Sequence, residues 1–190
     1  MTGIMQRVFL VLALVFALGL ASCGGDGAGF DESGRYLNNT YGFSFIPPKG
    51  WIWHEGKTGE CQYVAGAYRG DDLYVYVCVN DPPPEALDSG SDEENCAHLA
   101  KYIQNKFQGR HVECRPTHIQ RAKALSAMFY REVDGHARGV QIVSTTAIVH
   151  EGRILMMNAT ATGTGPESAK SAFGRSLDDL TTAAGSFWLH

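Results

Sequence analysis

The chain has 190 residues, of which 44% are hydrophobic and 19% charged, and a net charge of −4 at neutral pH. This length suits one domain with a hydrophobic core. The negative charge argues against a nucleic-acid-binding protein, which presents a basic surface, and it gives no electrostatic attraction to an anionic membrane.

The first segment of the chain is typical of a secretory signal peptide. One basic residue, Arg7, precedes an almost wholly apolar run at 8–21, which has the length of a signal-peptide core and is shorter than the roughly 20 residues of a spanning helix. The sequence Leu20-Ala21-Ser22-Cys23 then resembles a bacterial lipobox, in which cleavage precedes an acylated cysteine. We therefore expect residues 1–22 to be removed and Cys23 to carry lipid.

Lipidation of Cys23 would make membrane lipid a partner of this protein. Two or more acyl chains hold a protein stably at a membrane surface, and the glycine-rich stretch 23–34 is predicted to be a flexible tether. These features predict a lipoprotein of the cell envelope. Gly24, where an Asp would favour the inner membrane, favours the outer membrane in a host that has two. A short uncleaved anchor with a chance cysteine is the alternative.

A single domain is predicted from residue 35 to residue 190. It begins with a strand-like alternation that stops at Pro47 and Pro48, because proline cannot donate to a strand ladder. Two more strand-like segments follow, 61–68 and 73–79. Their spacing predicts a β-hairpin.

Four cysteines remain once Cys23 is set aside, and an exported protein lies in a compartment where disulfides persist. Four cysteines allow three connectivities. The hairpin would bring Cys61 near Cys78, and a helix carrying Cys96 would return the chain so that Cys114 lies near it. Local geometry therefore favours Cys61 with Cys78 and Cys96 with Cys114, while sequence leaves the other pairings open.

A helix is predicted after the proline-rich loop at 80–91. Ser91 and Glu94 have the spacing of a capping box, and Gly109 is expected to end the helix. Apolar side chains at helical spacing follow the capping box: Cys96, Leu99, Ala100, Ile103 and Phe107.

The rest of the chain alternates with period two from His111 to Thr162, with turns at Asp134-Gly135 and Glu151-Gly152. Pro166 suits the first turn of a helix, which is predicted to run unbroken to Gly185, before a short final strand. Its apolar stripe is Ala169, Phe173, Leu177, Leu180 and Ala184. This order of elements predicts an α+β fold with an antiparallel β-sheet flanked by helices.

Two segments carry a family resemblance. "YGFSFIPPKGW", Tyr41 to Trp51, and "FGRSLDDLTTAAGSFWL", Phe173 to Leu189, resemble the opening strand and the closing helix and strand of the PsbP-like superfamily (PsbP/Mog/DcrB type). The resemblance extends to the order of elements across the mature chain. It implies an α/β/α sandwich that serves a membrane-associated partner or complex as a non-catalytic accessory or binding module.

Aromatic residues are the candidates for a binding surface. Alternation places Tyr74 and Tyr76 on one face of a strand and Val75, Val77 and Val79 on the other. The valine face is the better core candidate, so the tyrosine face is either covered by a helix or a wet recognition surface for a protein partner. The candidate binding residues are Trp51, Trp53, Tyr74 and Tyr76, and Phe187 and Trp188 could join them.

The sequence contains no motif of a known catalytic site. It has no Gly-x-Ser-x-Gly elbow, no His-Glu-x-x-His helix, no phosphate loop and no dinucleotide fingerprint. Asp178 and Asp179 are adjacent, so on a helix they diverge by about 100° and do not face one substrate. We therefore expect no enzyme and no cofactor, with an envelope hydrolase as the less favoured reading.

A metal or small-ligand carrier is the sharper alternative. His98, His111 and His118 lie in the same stretch as Cys96 and Cys114, and imidazole with thiolate suits zinc or copper. Cys96 and His98 would diverge by about 200° on a helix, and disulfides would consume the thiols. The sequence therefore predicts no metal site.

Overall fold

The computed structural model describes residues 27–82, 85, 87–133 and 139–190. The predicted signal peptide at 1–22, the predicted lipidation site Cys23 and the predicted turn at Asp134-Gly135 lie outside these residues. None of the described helices is long and apolar enough to cross a membrane.

The described residues form two antiparallel sheets and three helices. The smaller sheet has the order β1-β2-β3-β11 and contains β1 (Ala28–Phe30), β2 (Tyr36–Asn38), β3 (Phe43–Phe45) and β11 (Trp188–Leu189). The larger sheet contains β4 (Ile52–Gly56), β5 (Tyr63–Arg69), β6 (Leu73–Asn80), β7 (Arg110–Ile119), β8 (Ala122–Val133), β9 (Gly139–His150) and β10 (Arg153–Gly163). The helices are α1 (Asp92–Phe107), α2 (Pro166–Arg175) and α3 (Leu177–Gly185).

The larger sheet is antiparallel throughout, in the order β4-β5-β6-β10-β9-β8-β7. The predicted hairpin of β5 and β6 pairs Tyr68 with Tyr74. Its second strand joins the sheet through β10, where Tyr76 lies opposite Asn158. The antiparallel sheet with flanking helices that the sequence predicts is confirmed.

One face of the larger sheet, here called the closed face, is the valine side of β6. Val75, Val77 and Val79 lie in one core cluster with Phe45 of the smaller sheet and Phe173 of α2. The smaller sheet, α2 and α3 all contribute buried side chains to this cluster. The closed face thus holds the largest part of the core, where burying each large apolar side chain contributes about 1.5 to 3 kcal/mol.

The opposite face is covered by α1, which packs against β7 and β8. Its buried side chains Leu99, Ile103 and Phe107 lie in a second core cluster with Leu125 and Phe129 of β8. Ser91 and Glu94 form the predicted capping box, and the helix ends at Phe107, with Gln108 in the left-handed conformation (φ 55°). Helices on both faces make the fold an α/β/α sandwich.

The C-terminal helix is broken in two, contrary to the prediction of one continuous helix. Ser176, with φ −114° and ψ 13°, separates α2 from α3, and its buried hydroxyl accepts a hydrogen bond from Arg69 Nη2 at 3.0 Å. The break rotates the stripe, so Leu177 is 45% exposed while Leu180 and Ala183 are buried. The placement of Leu177 in the core was therefore wrong.

The folded part begins earlier than predicted. Ala28–Phe30, within the expected tether at 23–34, pairs with Tyr36–Asn38. The Phe30 ring lies 4.8 Å from the ring of Trp53. The glycines around Phe30 favour the prediction of a flexible tether, and the sequence does not show the contact with Trp53. This contact holds an otherwise exposed strand against the domain.

Candidate functional site

Both cysteine pairs favoured by the sequence are disulfides in the structure. Cys61 is bonded to Cys78, with Cα atoms 5.4 Å apart, and Cys96 to Cys114, with Cα atoms 5.5 Å apart. The first bond joins β6 to the residues that precede β5. The second fastens α1 to β7, so α1 is held at one end of the strand order.

Beyond α1, the same face of the sheet borders a cavity of about 810 Å³. We call it the tyrosine pocket. Three tyrosines and three polar side chains define it: Tyr68, Tyr74, Tyr76, Arg131, Gln141 and Thr162. The strands β5, β6, β8, β9 and β10 supply these side chains, because in each of them the alternation directs every second residue to this face.

The register of β5 and β6 determines where the three tyrosines lie relative to one another. Tyr68 lies directly opposite Tyr74, with ring centroids 6.0 Å apart and planes 29° apart. Tyr76 lies opposite Gly66, where an added Cβ would come within 2.3 Å of the Tyr76 Cβ. A glycine inside a strand marks such close approaches, and here it leaves the sheet bare of side chain between the aromatic rings.

A chain of hydrogen bonds forms the polar wall of the pocket. Arg131 donates from Nε to Gln141 Oε1 at 2.8 Å and from Nη1 to Glu60 Oε2 at 2.5 Å. Gln141 in turn donates from Nε2 to Thr162 Oγ1 at 3.2 Å. The Arg131 side chain is 13% exposed and that of Glu60 43%. Each charge in this wall has its counterion, so the pair adds no net charge to the pocket.

Burial raises the pKa of Tyr76 and of Tyr74 above that of free tyrosine. Both phenols are therefore neutral at physiological pH. A neutral phenol both donates and accepts hydrogen bonds, so the pocket combines aromatic surface with hydroxyl groups of dual character.

The structure brings only two of the four candidate binding residues together. Tyr74 and Tyr76 line the tyrosine pocket. Trp53 packs against the closed-face core, with its ring 4.4 Å from that of Tyr36, and Trp51 lies under the guanidinium of Arg69 at 5.0 Å. The two tryptophans are thus placed on the other side of the sheet.

The remaining aromatic candidates also lie elsewhere. Phe187 is buried, and Trp188 is 55% exposed on β11 of the smaller sheet. Sequence reasoning did not single out Tyr68, Arg131 or Gln141. Arg131 and Gln141 lie directly opposite each other on β8 and β9. Two long polar side chains at opposed positions of neighbouring strands indicate a polar site, but the sequence does not give the register that places them together.

The cluster considered as a metal site does not assemble. Cys96 and Cys114 are bonded to each other and offer no thiolate, and His111 and His118 are exposed. Within the ranges that the structure describes, no three His, Cys, Asp or Glu side chains lie where they could hold a metal ion. Asp179 is engaged by Arg69 in an ion pair at 3.0 Å.

Comparison with solved structures identifies a similar fold. The chain is similar to the solution structure of cyanobacterial PsbP (CyanoP) from Synechocystis sp. PCC 6803, with a TM-score of 0.57 and 17% sequence identity. The match covers 90% of this chain and 99% of that one. No protein-family model and no curated protein matches the sequence. The likeness confirms the PsbP-like fold expected from the two terminal segments.

Proposed function

We propose that this protein is a non-catalytic binding module of the cell envelope, anchored by lipid at Cys23, that receives a membrane-associated partner in the tyrosine pocket. One observation carries the proposal. The fold covers the closed face completely enough to bury its valines, yet it leaves a cavity of about 810 Å³ lined by three tyrosines on the other face. A PsbP-like fold is consistent with such an accessory role.

The composition of the pocket supports recognition. Tyrosine and arginine are enriched in the central, energetically dominant parts of interfaces. Tyr68, Tyr74, Tyr76 and Arg131 are neither fully buried nor fully exposed, so each keeps surface that a ligand can cover. Ligand pockets commonly have volumes of about 300 to 1,000 Å³, and the tyrosine pocket lies within that range.

The lipobox-like segment supports a location of the domain at a membrane surface. Acyl chains on Cys23 would confine the domain to a membrane plane and raise its effective concentration for a partner there. Because β1 begins at Ala28, the connection from Cys23 extends at most about 18 Å when fully stretched. The domain would therefore stay within about one domain radius of the membrane, and its partner would have to reach that layer.

Site-specific photocrosslinking of the full-length protein in its native membrane tests the proposal. The photoreactive residue would replace His54, which is exposed and borders the pocket, or Lys170, which is exposed on α2 across the sheet. We expect a discrete crosslinked product from position 54 and none of that mass from position 170. Equal products from both positions, or none from position 54, would contradict a partner in the pocket.

The anchor is tested separately by changing Cys23. Mass spectrometry of the N-terminal peptide should show acyl chains on the protein and none on a C23A variant, because the variant has no thiol to acylate. An N-terminal peptide of the protein that carries no acyl mass would argue against lipid as the anchor.

A further inference from the structure

We infer that the group received by the tyrosine pocket is a neutral carbohydrate made of linked pyranose rings. The inference rests on the proposed function, because it takes the pocket to be the binding site, and it names the chemistry that this site recognises. The carbohydrate would be carried by the partner or by a glycan of the envelope.

The two sides of the central strand β10 provide the first argument. On the closed face its buried residues are wholly apolar: Leu155, Met157, Ala159 and Ala161. On the other face, the three positions that follow Met156 are all polar and buried: Asn158, Thr160 and Thr162. Of these three, Thr162 lines the pocket, so β10 brings a polar side chain to the pocket on the face where it is not covered by α1.

Two buried hydroxyl groups of β9 and β10 near the pocket are left without partners. Thr160 Oγ1 and Thr145 Oγ1 are buried and have no hydrogen-bond partner in the described part of the chain. Thr160 lies opposite Tyr74, and Thr145 lies opposite Asn158, which in turn pairs with Tyr76. Buried hydroxyls are normally paired. Neither threonine lines the pocket, so the two hydroxyls show that the interior next to it is polar and do not by themselves point to a ligand.

The charges indicate a neutral ligand. Arg131 and Glu60 already form an ion pair, and Asp71 also borders the pocket. An anion would meet two carboxylates for one guanidinium, while a cation would compete with Arg131 for Glu60. A neutral ligand leaves the pair intact.

The hydrogen-bonding groups of the wall match hydroxyls. A guanidinium has five N–H donors, and the bonds of Arg131 use Nε and Nη1, so Nη2 is left to donate. Glu60 has only one oxygen engaged by Arg131 and can accept. A ligand that both donates and accepts at closely spaced points satisfies this wall, and a sugar hydroxyl does both.

The aromatic rings match the rest of a pyranose. A pyranose carries hydroxyls round its edge and C–H groups on its face, and the slightly positive C–H groups are attracted to the negative face of an aromatic ring. The stacked rings of Tyr68 and Tyr74 line the pocket and are partly exposed, so a sugar ring can pack against them, whereas Tyr76 packs against the second core cluster. The cavity of about 810 Å³ has room for more than one sugar ring.

The test titrates the full-length protein in detergent with neutral oligosaccharides of β-linked glucose, α-linked glucose and N-acetylglucosamine, by isothermal titration calorimetry. We expect saturable binding of at least one of them. Y74A should weaken that binding about tenfold, whereas Y74F, which keeps the ring, should stay within about threefold. W188A, which removes an exposed aromatic outside the pocket, should leave it unchanged.

Three results would overturn the inference. They are no binding of any neutral oligosaccharide, unchanged binding by a folded Y74A, and tighter binding of an acidic oligosaccharide or of an uncharged peptide. A second variant, R131Q, should also weaken binding, so a misfolded Y74A does not decide the outcome. If position 54 crosslinks to a protein while no sugar binds, the inference fails and the proposed function stands. If crosslinks arise only at position 170, the proposed function fails.

Discussion

The two faces of the larger sheet are built from the same strands and end in opposite states. On the closed face, β6 presents Val75 and Val77, both 0% exposed, beneath helices and a second sheet. On the other face, the same strand presents Tyr74 and Tyr76, which border an open cavity. The period of two in β6 separates the two sets, but the cover supplied by other elements decides which face becomes core.

The two disulfides lie in different parts of this face and stabilise different elements. Cys61–Cys78 lies at the border of the tyrosine pocket, since Cys61 is one of its lining residues. Cys96–Cys114 fixes the only helix that covers this face in the described structure. One bond therefore stabilises the strands beside the open region, and the other sets how far the cover extends.

The largest difference between the faces should appear in core truncation. Phe45 is 0% exposed in the closed-face cluster, so F45A should lower the free energy of unfolding by about 3 to 5 kcal/mol. Y74A in the open pocket should cost clearly less, because much of the ring keeps contact with water in both states. Urea unfolding of both variants measures the difference, and equal losses would mean that the pocket is core.

The second largest loss of stability should follow from removing the Cys96–Cys114 disulfide, which joins α1 to β7. Replacing Cys96 and Cys114 by alanine should cost about 3 kcal/mol, the chain-entropy value for a loop of roughly this length, and should speed amide hydrogen exchange in α1. The Cys61–Cys78 bond closes a loop of similar length. Replacing these two cysteines by alanine should therefore lower the free energy of unfolding by about as much, but amide exchange in α1 should stay slow. Fast exchange in α1 for both variants would show that α1 is not held locally.

A smaller effect should follow from adding a side chain at Gly66, where β5 and β6 approach closely. G66A would place a Cβ 2.4 Å from the Val75 carbonyl oxygen, so β5 and β6 must shift, at a cost of about 1 to 3 kcal/mol. The control is G174A in α2, where nothing lies within 4 Å of the added Cβ. There, alanine should stabilise the protein by about 0.5 to 1 kcal/mol. Thermal unfolding of the two variants should shift in opposite directions.

The smallest effect is expected from the buried phenol groups of the closed-face cluster, such as that of Tyr36, because it is absent near neutral pH and appears only at alkaline pH. Burial raises the pKa of Tyr36, with hydrogen bonds to Tyr63 and Glu55 acting the same way. A raised pKa in the folded state means that the stability is fully present below about pH 10 and is lost as the pH rises above it. The loss should reach at most about 1.4 kcal/mol per pH unit for each such tyrosine.

Urea midpoints between pH 9 and pH 11 measure this loss (about one unit on either side of the pKa of free tyrosine). Y36F should show a shallower decline than the unmodified protein, although it loses the hydrogen bond to Glu55 at every pH. An identical slope in both proteins would mean that Tyr36 does not control the alkaline limit.

Local chemistry made much of the fold predictable. The Ser91 and Glu94 capping box, the hairpin that joins Cys61 to Cys78 and the alternation of Tyr74 and Tyr76 with the valines depend on residues close in the chain. The break lies at Ser176, whose hydroxyl is bound by Arg69 of β5, more than a hundred residues away, and a local pattern does not show this contact. The strand at Ala28–Phe30 was missed because the Trp53 ring that contacts it is equally invisible to a local pattern.

The candidate site shows the same division. The sequence alone determined that Tyr74 and Tyr76 share a face, because side chains in a strand alternate whatever surrounds them. Only the tertiary structure decided that this face stays open, that Trp51 and Trp53 lie across the sheet, and that Arg131 and Gln141 complete the pocket. Periodicity is a property of one strand, whereas strand order and helix cover arise from contacts between segments distant in the chain.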